Sequence, residues 1–467
     1  MNRSCDVLVI GGGPGGTPAA MALAQMGKSV LLVEAGSGLG GTCLFEGCIP
    51  SKIFRETAQR LRDIALADQF GIHLPHDLVQ LDWHRVQARK RKILQQRSEA
   101  AARKVSQLKR LQLVFGRARL TAPQRAVIEP FEGENIEVSF KQCILATGSE
   151  PRALPVPGGD LPQVYSSDGI LDIDHIPESL VVIGGGAIGI ELAQIFQALG
   201  AKVTLMERGP RILGPVDEEL ALALEQHLIS QGIRLIVNCS VRAVCEADEG
   251  LSVQYDLDEG GYDQIHATAV LSALGRQPRV QGLGLENAAV SVGDHGIVVD
   301  EALQTTTPDI YAVGDVIGQP MFAHWATAQA LALARHLMGQ PALFPKPEHN
   351  TATIYSSPEL GMAGLTEAQA KAKGIEVGVA RYDFSQDARA QITGYDSGML
   401  KIVYNKTDHK VIGVHALVEG AADLMGEAAL LVRAAVPLEV LASAIHPHPT
   451  LTESFVVAAR AALAERR

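Results

Sequence analysis

The chain has 467 residues, of which 47% are hydrophobic, and a chain of this length and composition folds into roughly two to four packed domains. Its formal net charge is −11, which argues against a general role in nucleic-acid binding, because phosphate binding needs a positive surface. The sequence has neither a signal peptide nor a run of about 18 uncharged apolar residues that would span a membrane, so we expect a cytoplasmic protein.

A glycine-rich segment near the N-terminus recurs later in the chain, and each copy ends in a glutamate. Each copy predicts an apolar strand, a glycine turn, an Ala-rich helix and a second strand, which is the βαβ unit of a dinucleotide-binding fold. In such a turn the first glycine allows the bend, the second lets a pyrophosphate approach the backbone, and the third lets the helix pack on the strand. The predicted cofactor-binding residues are Gly11, Gly13, Gly16 and Glu34 in the first copy and Gly184, Gly186, Gly189 and Glu207 in the second.

Two of the six cysteines, Cys43 and Cys48, lie in a glycine-rich segment just after the first βαβ unit. Zinc would need a second pair of ligands nearby, which the sequence lacks, so we expect no metal. Two core thiols are one alternative; we favour a reactive dithiol/disulfide pair, as cytosolic enzymes use in catalysis. Because a flavin can accept two electrons from a dithiol, we predict FAD in the first fold and a nicotinamide in the second. We expect inert core thiols at Cys5, Cys143, Cys239 and Cys245.

The predicted domains follow from turn and linker signals along the chain. We predict an FAD-binding domain over residues 1–149, completed by residues 271–345, and an NAD-binding domain over 150–270. Residues 346–467 mix strands with helices and have no glycine fingerprint, so we expect a separate α+β domain. Its helical run 422–445 is richly apolar and would need a partner surface to bury it.

One stretch of the sequence is basic, although the chain as a whole is acidic. Residues 85–110 contain ten Lys or Arg but a single acid, Glu99. We favour a solvated helix face here, with a docking patch for an acidic protein as the alternative.

Further motifs extend this pattern over nearly the whole chain: Gly-Gly-Thr-Cys-x4-Cys-Ile-Pro-Ser-Lys at 40–52, Ala-Thr-Gly-Ser at 146–149, Leu-Gly-Arg at 274–276, Ala-Val-Gly-Asp at 312–315 and His-Pro-Thr-Leu-Thr-Glu at 448–453. With them the chain resembles the flavin-dependent pyridine nucleotide–disulfide oxidoreductases, and among these the dihydrolipoamide dehydrogenases. The resemblance implies an α/β protein with two Rossmann-like, three-layer dinucleotide domains and a C-terminal α+β dimerisation domain. It also implies FAD and NAD as cofactors and a homodimer.

The resemblance implies catalytic roles for four residues. Cys43 would be the interchange thiol that reacts with substrate, and Cys48 would be the thiolate that faces the flavin. His448 and Glu453 would form an acid–base dyad in which the glutamate orients the imidazole that takes the substrate thiol proton. In this family the dyad of one subunit completes the site of the other. We expect His446 to be an ordinary surface residue.

The resemblance also assigns residues to the cofactors. Lys52 would lie near the flavin, paired with Glu191. The further residues expected at the cofactors are Thr42, Gly116, Thr147, Gly148, Ser149, Val241, Gly275, Asp315, Met321, Ala323 and His324.

The implied reaction is the oxidation of protein-bound dihydrolipoamide to lipoamide, with NAD as the hydride acceptor and a lipoyl-carrying protein as partner. The alternative is an NAD(P)H-dependent reductase of another small or protein disulfide. The chain departs from the family pattern between the two cysteines, where Phe45 and Glu46 stand in place of the common Asn-Val, and at Trp325, where the family usually has Lys. Glu46 brings a negative charge close to the disulfide.

The second glutamate bears on the choice of nicotinamide. A carboxylate at Glu207 accepts a hydrogen bond from a free ribose 2′-hydroxyl and repels a 2′-phosphate, so the sequence favours NAD over NADP. Arg208 and Arg211 follow closely and could attract the phosphate. No cysteine follows Cys245, which argues against a mercuric reductase, since that enzyme needs a C-terminal cysteine pair.

Overall fold

A computed structural model describes residues 2–75 and 78–464. Within these ranges the chain forms twelve α-helices: α1 (Gly16–Gln25), α2 (Gly41–Phe45), α3 (Cys48–Ala65), α4 (Trp83–Ser106), α5 (Ala187–Ala198), α6 (Glu218–Ser230), α7 (Ala323–Leu337), α8 (Glu367–Ala372), α9 (Ala388–Thr393), α10 (Ala421–Arg433), α11 (Leu438–Ser443) and α12 (Glu453–Ala464).

The same ranges contain 23 strands. In the first half of the chain they are β1 (Asn2–Ile10), β2 (Val30–Glu34), β3 (Leu111–Ala122), β4 (Arg125–Pro130), β5 (Ile136–Leu145), β6 (Ser149–Pro151), β7 (Val164–Ser166), β8 (Ser179–Ile183), β9 (Lys202–Met206), β10 (Arg234–Ile236) and β11 (Cys239–Glu246). In the second half they are β12 (Leu251–Leu257), β13 (Tyr262–Ala267), β14 (Ala269–Ser272), β15 (Arg276–Pro278), β16 (Val292–Gly293), β17 (Gly296–Ile297), β18 (Ile310–Ala312), β19 (Thr351–Ile354), β20 (Leu360–Gly364), β21 (Val377–Asp383), β22 (Met399–Asn405) and β23 (Val411–Leu417).

The first sheet is built around β1, which pairs in parallel with β2 on one side and β5 on the other. Strand β18 continues the sheet beyond β5, and β4 joins β3 to β5 by antiparallel pairing. Alternate residues of β1 pack into two different clusters, Leu8 and Ile10 on one face and Val7 and Val9 on the other. The strand is therefore covered on both faces, which explains its continuous apolar run.

The second sheet repeats this plan with five parallel strands in the order β10-β9-β8-β14-β7. A three-stranded antiparallel sheet, β11-β12-β13, stands beside it. Strand β14 ends at Ser272, two residues beyond the predicted boundary at 270, and the domain boundaries themselves stay predictions. The two parallel sheets confirm the repeat of dinucleotide-binding folds predicted from the glycine segments.

The C-terminal unit is a five-stranded antiparallel sheet, β19-β20-β23-β22-β21, against which α10 and α12 pack. With the two parallel sheets it confirms the predicted α/β class with an α+β tail. The apolar run 422–445 forms two helices. Helix α10 ends at Arg433, Ala435 has φ +49°, and Pro437 caps the start of α11. Side chains of this run remain exposed, at 70% for Leu430, 56% for Val440 and 99% for Ile445. These apolar groups form a surface that a second subunit can cover.

A buried lysine joins the start of α6 to the C-terminal unit. Lys401 in β22 places its Nζ 2.9 Å from Asp217, 3.0 Å from Glu367 and 3.3 Å from Glu219. The side chains of Lys401 and Asp217 are only 5% and 4% exposed. We call these four residues the Lys401 cluster. Replacing Lys401 would remove the cation that neutralises the buried carboxylate of Asp217.

A second link fixes α3 to the C-terminal unit. The guanidinium of Arg55 donates to the carbonyl oxygens of Tyr355 and Ser356 at 3.0 and 3.1 Å. It also pairs with Glu419 at 2.7 Å and with Glu359 at 3.0 Å. Helix α3 is therefore held in place by main-chain and side-chain contacts along the segment that follows β19.

The four cysteines outside the redox segment differ in exposure. Cys143 and Cys239 are buried and Cys5 is half-buried, and burial raises the pKa of Cys5 to about 12 and of Cys239 to about 11. Cys245 is exposed, so the prediction of a core thiol is wrong there. In β11 the preceding residue, Val244, faces the core, and alternation along the strand turns Cys245 outward. Among the described residues no helix is long and apolar enough to cross a membrane.

Candidate functional site

The first glycine turn follows β1 and has room for a bound group at one position only. A Cβ on Gly11, whose φ is +106°, would lie 2.3 Å from the carbonyl oxygen of Ala146, and a Cβ on Gly16 would lie 1.8 Å from the carbonyl oxygen of Gly11. At Gly13 the nearest atom is the Cα of Gly41, at 3.7 Å. The outer two glycines are thus required by packing, and the middle one leaves space for a pyrophosphate above the N-terminus of α1.

The second turn has the same design. A Cβ on Gly184 (φ +115°) would lie 2.5 Å from the carbonyl oxygen of Ala273, and one on Gly189 would lie 1.9 Å from that of Gly184. A Cβ on Gly186 would meet no atom within 4 Å. Both turns therefore fit the group that the sequence predicts for them.

The paired glutamates occupy equivalent places at the ends of β2 and β9. Glu34 Oε2 accepts a hydrogen bond from the backbone N–H of Gly12 at 2.5 Å, and Glu207 Oε2 accepts one from Gly185 at 2.6 Å. Each carboxylate is thereby held against its glycine turn, at the edge where the ribose of a dinucleotide lies. Contact with the ribose stays a prediction.

The two arginines after Glu207 are not equivalent. The guanidinium of Arg211 donates to the carbonyl oxygens of Ile212 and Leu213 at 3.2 and 2.9 Å and to that of Gly214 at 2.8 Å. It is committed to its own loop. Arg208 is exposed and is the only one of the two that can turn toward a 2′-phosphate.

We expect kcat/KM with NAD to exceed that with NADP by at least about tenfold, which is about 1.4 kcal/mol of transition-state discrimination. The carboxylate of Glu207 is the reason. The substitution Glu207→Gln should narrow the ratio by removing the repulsion of a 2′-phosphate, whereas Arg211→Gln should leave it unchanged. Steady-state kinetics with both cofactors measures the ratio, and equal or better use of NADP by the unmodified protein would contradict the assignment.

The redox segment packs directly on the first glycine turn. The backbone N–H of Gly40 donates to the carbonyl oxygen of Gly12 at 3.0 Å, and a Cβ on Gly41 would lie 2.7 Å from the Cα of Gly13. Cys43 lies in the short helix α2, and Cys48 is the first residue of α3. The sequence therefore brings both cysteines to the predicted FAD site.

The two thiols differ in acidity. A hydrogen bond between the two side chains, followed by burial, raises the pKa of Cys43 far above its usual value. The same hydrogen bond lowers the pKa of Cys48, and the positive charge of Lys52 lowers it further. The N-terminus of α3 also favours an anion at this place. These opposite shifts favour the proton on Cys43 and the negative charge on Cys48 when the pair is reduced.

Lys52 pairs with Glu191, as predicted. Its Nζ lies 2.7 Å from Glu191 Oε2 and 4.5 Å from the centre of the Tyr355 ring. The other carboxylate oxygen of Glu191 accepts from the backbone N–H of Tyr355 at 2.9 Å. The lysine is thus fixed one helical turn after Cys48, where its charge stabilises the thiolate.

A polar network joins three of the predicted motifs. Ser149 Oγ donates to Asp315 at 2.6 Å and accepts from Arg276 at 2.8 Å, and Arg276 also pairs with Asp168 at 2.7 Å. Burial raises the pKa of Asp315. Burial, and then the charge of Asp168, raise the pKa of Glu46 between the two cysteines. Glu46, which departs from the family pattern, therefore faces the network that contains Arg276 and Asp168.

Other predicted cofactor residues lie around this network and the first turn. Thr147 Oγ1 donates to the carbonyl oxygen of Arg279 at 2.7 Å, and the carbonyl oxygen of Gly148 accepts from the backbone N–H of Arg279 at 2.9 Å. Helix α7 is tied to the first turn by Thr327, whose Oγ1 donates to the carbonyl oxygen of Pro14 at 2.9 Å. The remaining members of this neighbourhood are Thr42 in α2, Gly275 before β15, Met321 before α7, and Ala323 and His324 at its start.

Two predicted residues lie in strands outside the turns. Gly116 is in β3 opposite Pro130, where a Cβ would lie 2.4 Å from the carbonyl oxygen of Glu129, so packing alone explains its glycine. Val241 is in β11, in the small antiparallel sheet. Their contact with cofactors stays a prediction.

The predicted dyad is formed. His448 Nδ1 lies 3.1 Å from both carboxylate oxygens of Glu453, the first residue of α12. The backbone N–H of Thr450 and then the His448 ring lower the pKa of Glu453. The side chain of His448 is 73% exposed, and no hydrogen bond among residues 2–75 and 78–464 joins the dyad to the redox segment. One subunit therefore presents the dyad at its surface.

The prediction that His446 is a surface residue is wrong. Its side chain is only 10% exposed, and its Nε2 lies 2.9 Å from Glu427 in α10. The signal in the sequence was Glu427 itself, an acid in the middle of a mostly apolar helix that packs on the sheet. The pair holds the segment before His448 against α10.

Residues 5–330 match the family described as pyridine nucleotide-disulphide oxidoreductase, and residues 351–459 match its dimerisation domain. The chain belongs to this family. Pyridine nucleotide-disulphide oxidoreductases use FAD and NAD(H), so the predicted cofactors and enzyme class are confirmed, and the dimerisation domain supports the predicted homodimer.

Relatives of this oxidoreductase cover it almost end to end. A dihydrolipoyl dehydrogenase of Bacillus subtilis (strain 168) is 36% identical over 99% of this chain and 98% of its own. One of Thermus scotoductus is 35% identical over 98% and 97%. Among solved structures, the Cu(II) complex of the HOCl-induced flavoprotein disulfide reductase RclA from Escherichia coli superposes with a TM-score of 0.88, at 26% identity over 99% of this chain and 100% of that one.

Proposed function

We propose that the protein oxidises protein-bound dihydrolipoamide to lipoamide, with NAD as the hydride acceptor. The observation that carries the proposal is the redox pair itself, which packs on the first glycine turn with Cys48 at the N-terminus of α3 and Lys52 one turn further on. The pKa of Cys43 is raised and that of Cys48 is lowered, as this chemistry requires. The names of the two relatives given above favour dihydrolipoamide as the dithiol. The cytoplasmic location expected from the sequence stays a prediction.

We assign the FAD site to the first glycine turn with Glu34 and to the Ser149–Asp315 network, and the NAD site to the second turn with Glu207. When bound, FAD would supply the two-electron transfer between the reduced cysteine pair and NAD. Lys52 stabilises the Cys48 thiolate that this chemistry requires, and Glu191 holds Lys52 in position.

The thiol chemistry begins on the oxidised pair. A substrate thiolate attacks the sulfur of Cys43 in the Cys43–Cys48 disulfide, which forms a mixed disulfide and releases Cys48 as a thiolate. His448 of the partner subunit takes the proton of the second substrate thiol. That sulfur then displaces Cys43, whose thiolate takes the proton back from His448. The lipoamide disulfide is closed, and the pair has gained two electrons and one proton.

Reduction of another disulfide is the second candidate function. It is favoured by the close superposition on the disulfide reductase RclA and by Glu46, which replaces a neutral residue of the family pattern beside the cysteines. The same chemistry would then run in reverse, from NADH through the cysteine pair to a disulfide substrate.

We expect dihydrolipoamide to reduce the protein fully within one turnover and to support steady NADH production. Reduced glutathione should do neither at equal thiol concentration. Anaerobic titration of the yellow protein with each thiol, and with NADH and NADPH, records the long-wavelength band of a thiolate beside oxidised flavin. A band that forms with NADH but never with dihydrolipoamide would assign the protein to the reduction of a different disulfide.

A further inference from the structure

Helix α4 carries many positive charges on a protein whose net charge is −11. Nine of the ten Lys and Arg side chains between residues 85 and 110 are exposed. The exception is Lys90, whose Nζ donates to the carbonyl oxygen of Leu171 and pairs with Asp172, both at 2.5 Å. Trp83 anchors the same inner face by donating to the carbonyl oxygen of Ile173 at 3.0 Å. The inner face is thus fixed to the protein, and the outer face is left open.

Most of the outer charges have no counter-ion on the protein. Among the residues that the structure describes, only Arg85 and Arg103 of this run's exposed cations form ion pairs, with Asp82 at 3.3 Å and Glu99 at 3.6 Å. The exposed cations of α4 without a carboxylate partner, here called the α4 basic face, are Arg89, Arg91, Lys92, Arg97 and Lys104. Like charges gathered in this way repel one another, and an acidic partner relieves that repulsion.

The α4 basic face borders the redox pair. A Cβ on Gly38 would lie 2.2 Å from Ser98 Oγ, so the loop that leads to Cys43 packs directly on α4. The helix that carries Cys43, α2, also contacts α4. The guanidinium of Arg97 acts on Cys43, where its charge opposes the larger effects of the Cys48 hydrogen bond and burial on the pKa. A molecule held around Arg97 on this face therefore lies close to the helix that carries the interchange thiol.

We propose that the α4 basic face is a docking surface for an acidic protein that carries the dithiol substrate. The proposal rests on the proposed function and defines its partner as a carrier with Asp and Glu around the lipoyl-lysine. At physiological ionic strength charges are screened over about 8 Å, so the face acts on a carrier that is near contact. It speeds association and orients the carrier with its dithiol toward Cys43. Free dihydrolipoamide, which is neutral, gains nothing from it.

The test uses the full-length holoenzyme and two reduced lipoyl-lysine peptides of equal length. One has Glu around the lipoyl-lysine, and the other has Gln at the same positions. For the unmodified protein we expect kcat/KM to be about tenfold higher with the Glu peptide at low salt, and this advantage should shrink as salt is added. Arg89→Glu combined with Lys92→Glu should remove the advantage while leaving turnover of the Gln peptide and of free dihydrolipoamide unchanged.

A matched control carries the same change of charge elsewhere. Lys202 in β9 and Lys373 after α8 are exposed and have no ion pair among the described residues. Lys202→Glu combined with Lys373→Glu should leave the advantage of the Glu peptide intact. An equal loss in this control would show a general effect of net charge and would overturn the proposal, as would equal turnover of the two peptides by the unmodified protein.

Two further outcomes keep docking separate from catalysis. If the unmodified protein oxidises no dihydrolipoamide, the proposed function fails. Docking can still be tested by fluorescence anisotropy with labelled peptides. Tighter binding of the Glu peptide than of the Gln peptide would support the docking proposal even then. If a DNA duplex binds at physiological salt and the two peptides are turned over equally, the face belongs to nucleic acid and the docking proposal is wrong.

Discussion

Replacing Cys48 with serine is expected to lower kcat for dihydrolipoamide oxidation by about 10³-fold or more, the scale of losing a nucleophile. The serine hydroxyl neither forms the disulfide nor carries the negative charge that the Cys43 hydrogen bond and Lys52 stabilise. The long-wavelength band of the reduced protein should disappear with the activity. Stopped-flow and steady-state assays with dihydrolipoamide measure the loss.

Cys43→Ser should be equally inactive but differently coloured. Only the interchange thiol reacts with substrate, so Cys48 remains free to stand as a thiolate beside the flavin and the band should persist. Reduction of an artificial dye by NADH should survive in both serine variants, because that electron path needs neither sulfur, and it serves as the control for folding and cofactor content. Normal oxidation of dihydrolipoamide by either variant would refute the dithiol mechanism.

The pH dependence of the long-wavelength band follows from the direction in which the pKa of Cys48 is shifted. The pKa of Cys48 is lowered in the folded protein, so the thiolate persists below the pKa of about 8.5 of an ordinary cysteine and is lost only as the pH falls through the lowered value. Cys43→Ala removes the hydrogen bond that contributes most to the shift. The midpoint of the band should then move to higher pH.

Mixing two inactive variants is expected to restore about a quarter of the unmodified activity. His448→Gln alone should lower kcat by about 10²- to 10⁴-fold, because the imidazole that takes the thiol proton is lost. When it is unfolded and refolded with Cys48→Ser and FAD, random pairing makes about half the dimers mixed. One site of each mixed dimer carries both lesions, and the other combines an intact Cys48 with an intact His448.

The recovery separates two arrangements of the dyad. His448 is 73% exposed in a single subunit, as expected of a group that completes a neighbour's site. If mixed dimers are present by mass spectrometry of the intact complex and no activity returns, His448 serves its own subunit or none. Refolding each variant with itself gives the baseline against which the quarter is measured.

The local features of the site could be predicted from the sequence because each depends on residues that are close together in the chain. The glycine turns, the Lys52 and Cys48 spacing along α3 and the two strand-end glutamates all follow from neighbouring residues or from an exact repeat. The Lys52–Glu191 pair joins two domains, and only the family resemblance indicated it.

Contacts between distant elements could not be predicted in this way. The burial of Lys90 depends on the carbonyl oxygen of Leu171, a main-chain group with no sequence signature. The pairing of His446 with Glu427 depends on how α10 packs on its sheet. The exposure of Cys245 depends on which face of β11 meets the core, and alternating burial is hard to assign in a strand that is apolar at most positions.

The Lys401 cluster and Arg55 tie the C-terminal unit to the rest of the chain, so its domains are less independent than the repeated folds suggest. The side chains of Lys401 and Arg55 are largely buried, and carboxylates neutralise both of them. In each case an ion pair joins the C-terminal unit to another part of the chain. Stranding one of these charges would cost about 3–5 kcal/mol. A C-terminal unit taken from another protein would have to bring a cation to position 401 and acids that neutralise Arg55, as Glu359 and Glu419 do here. An exchange of this unit that leaves out these residues should therefore lower the stability of the hybrid protein.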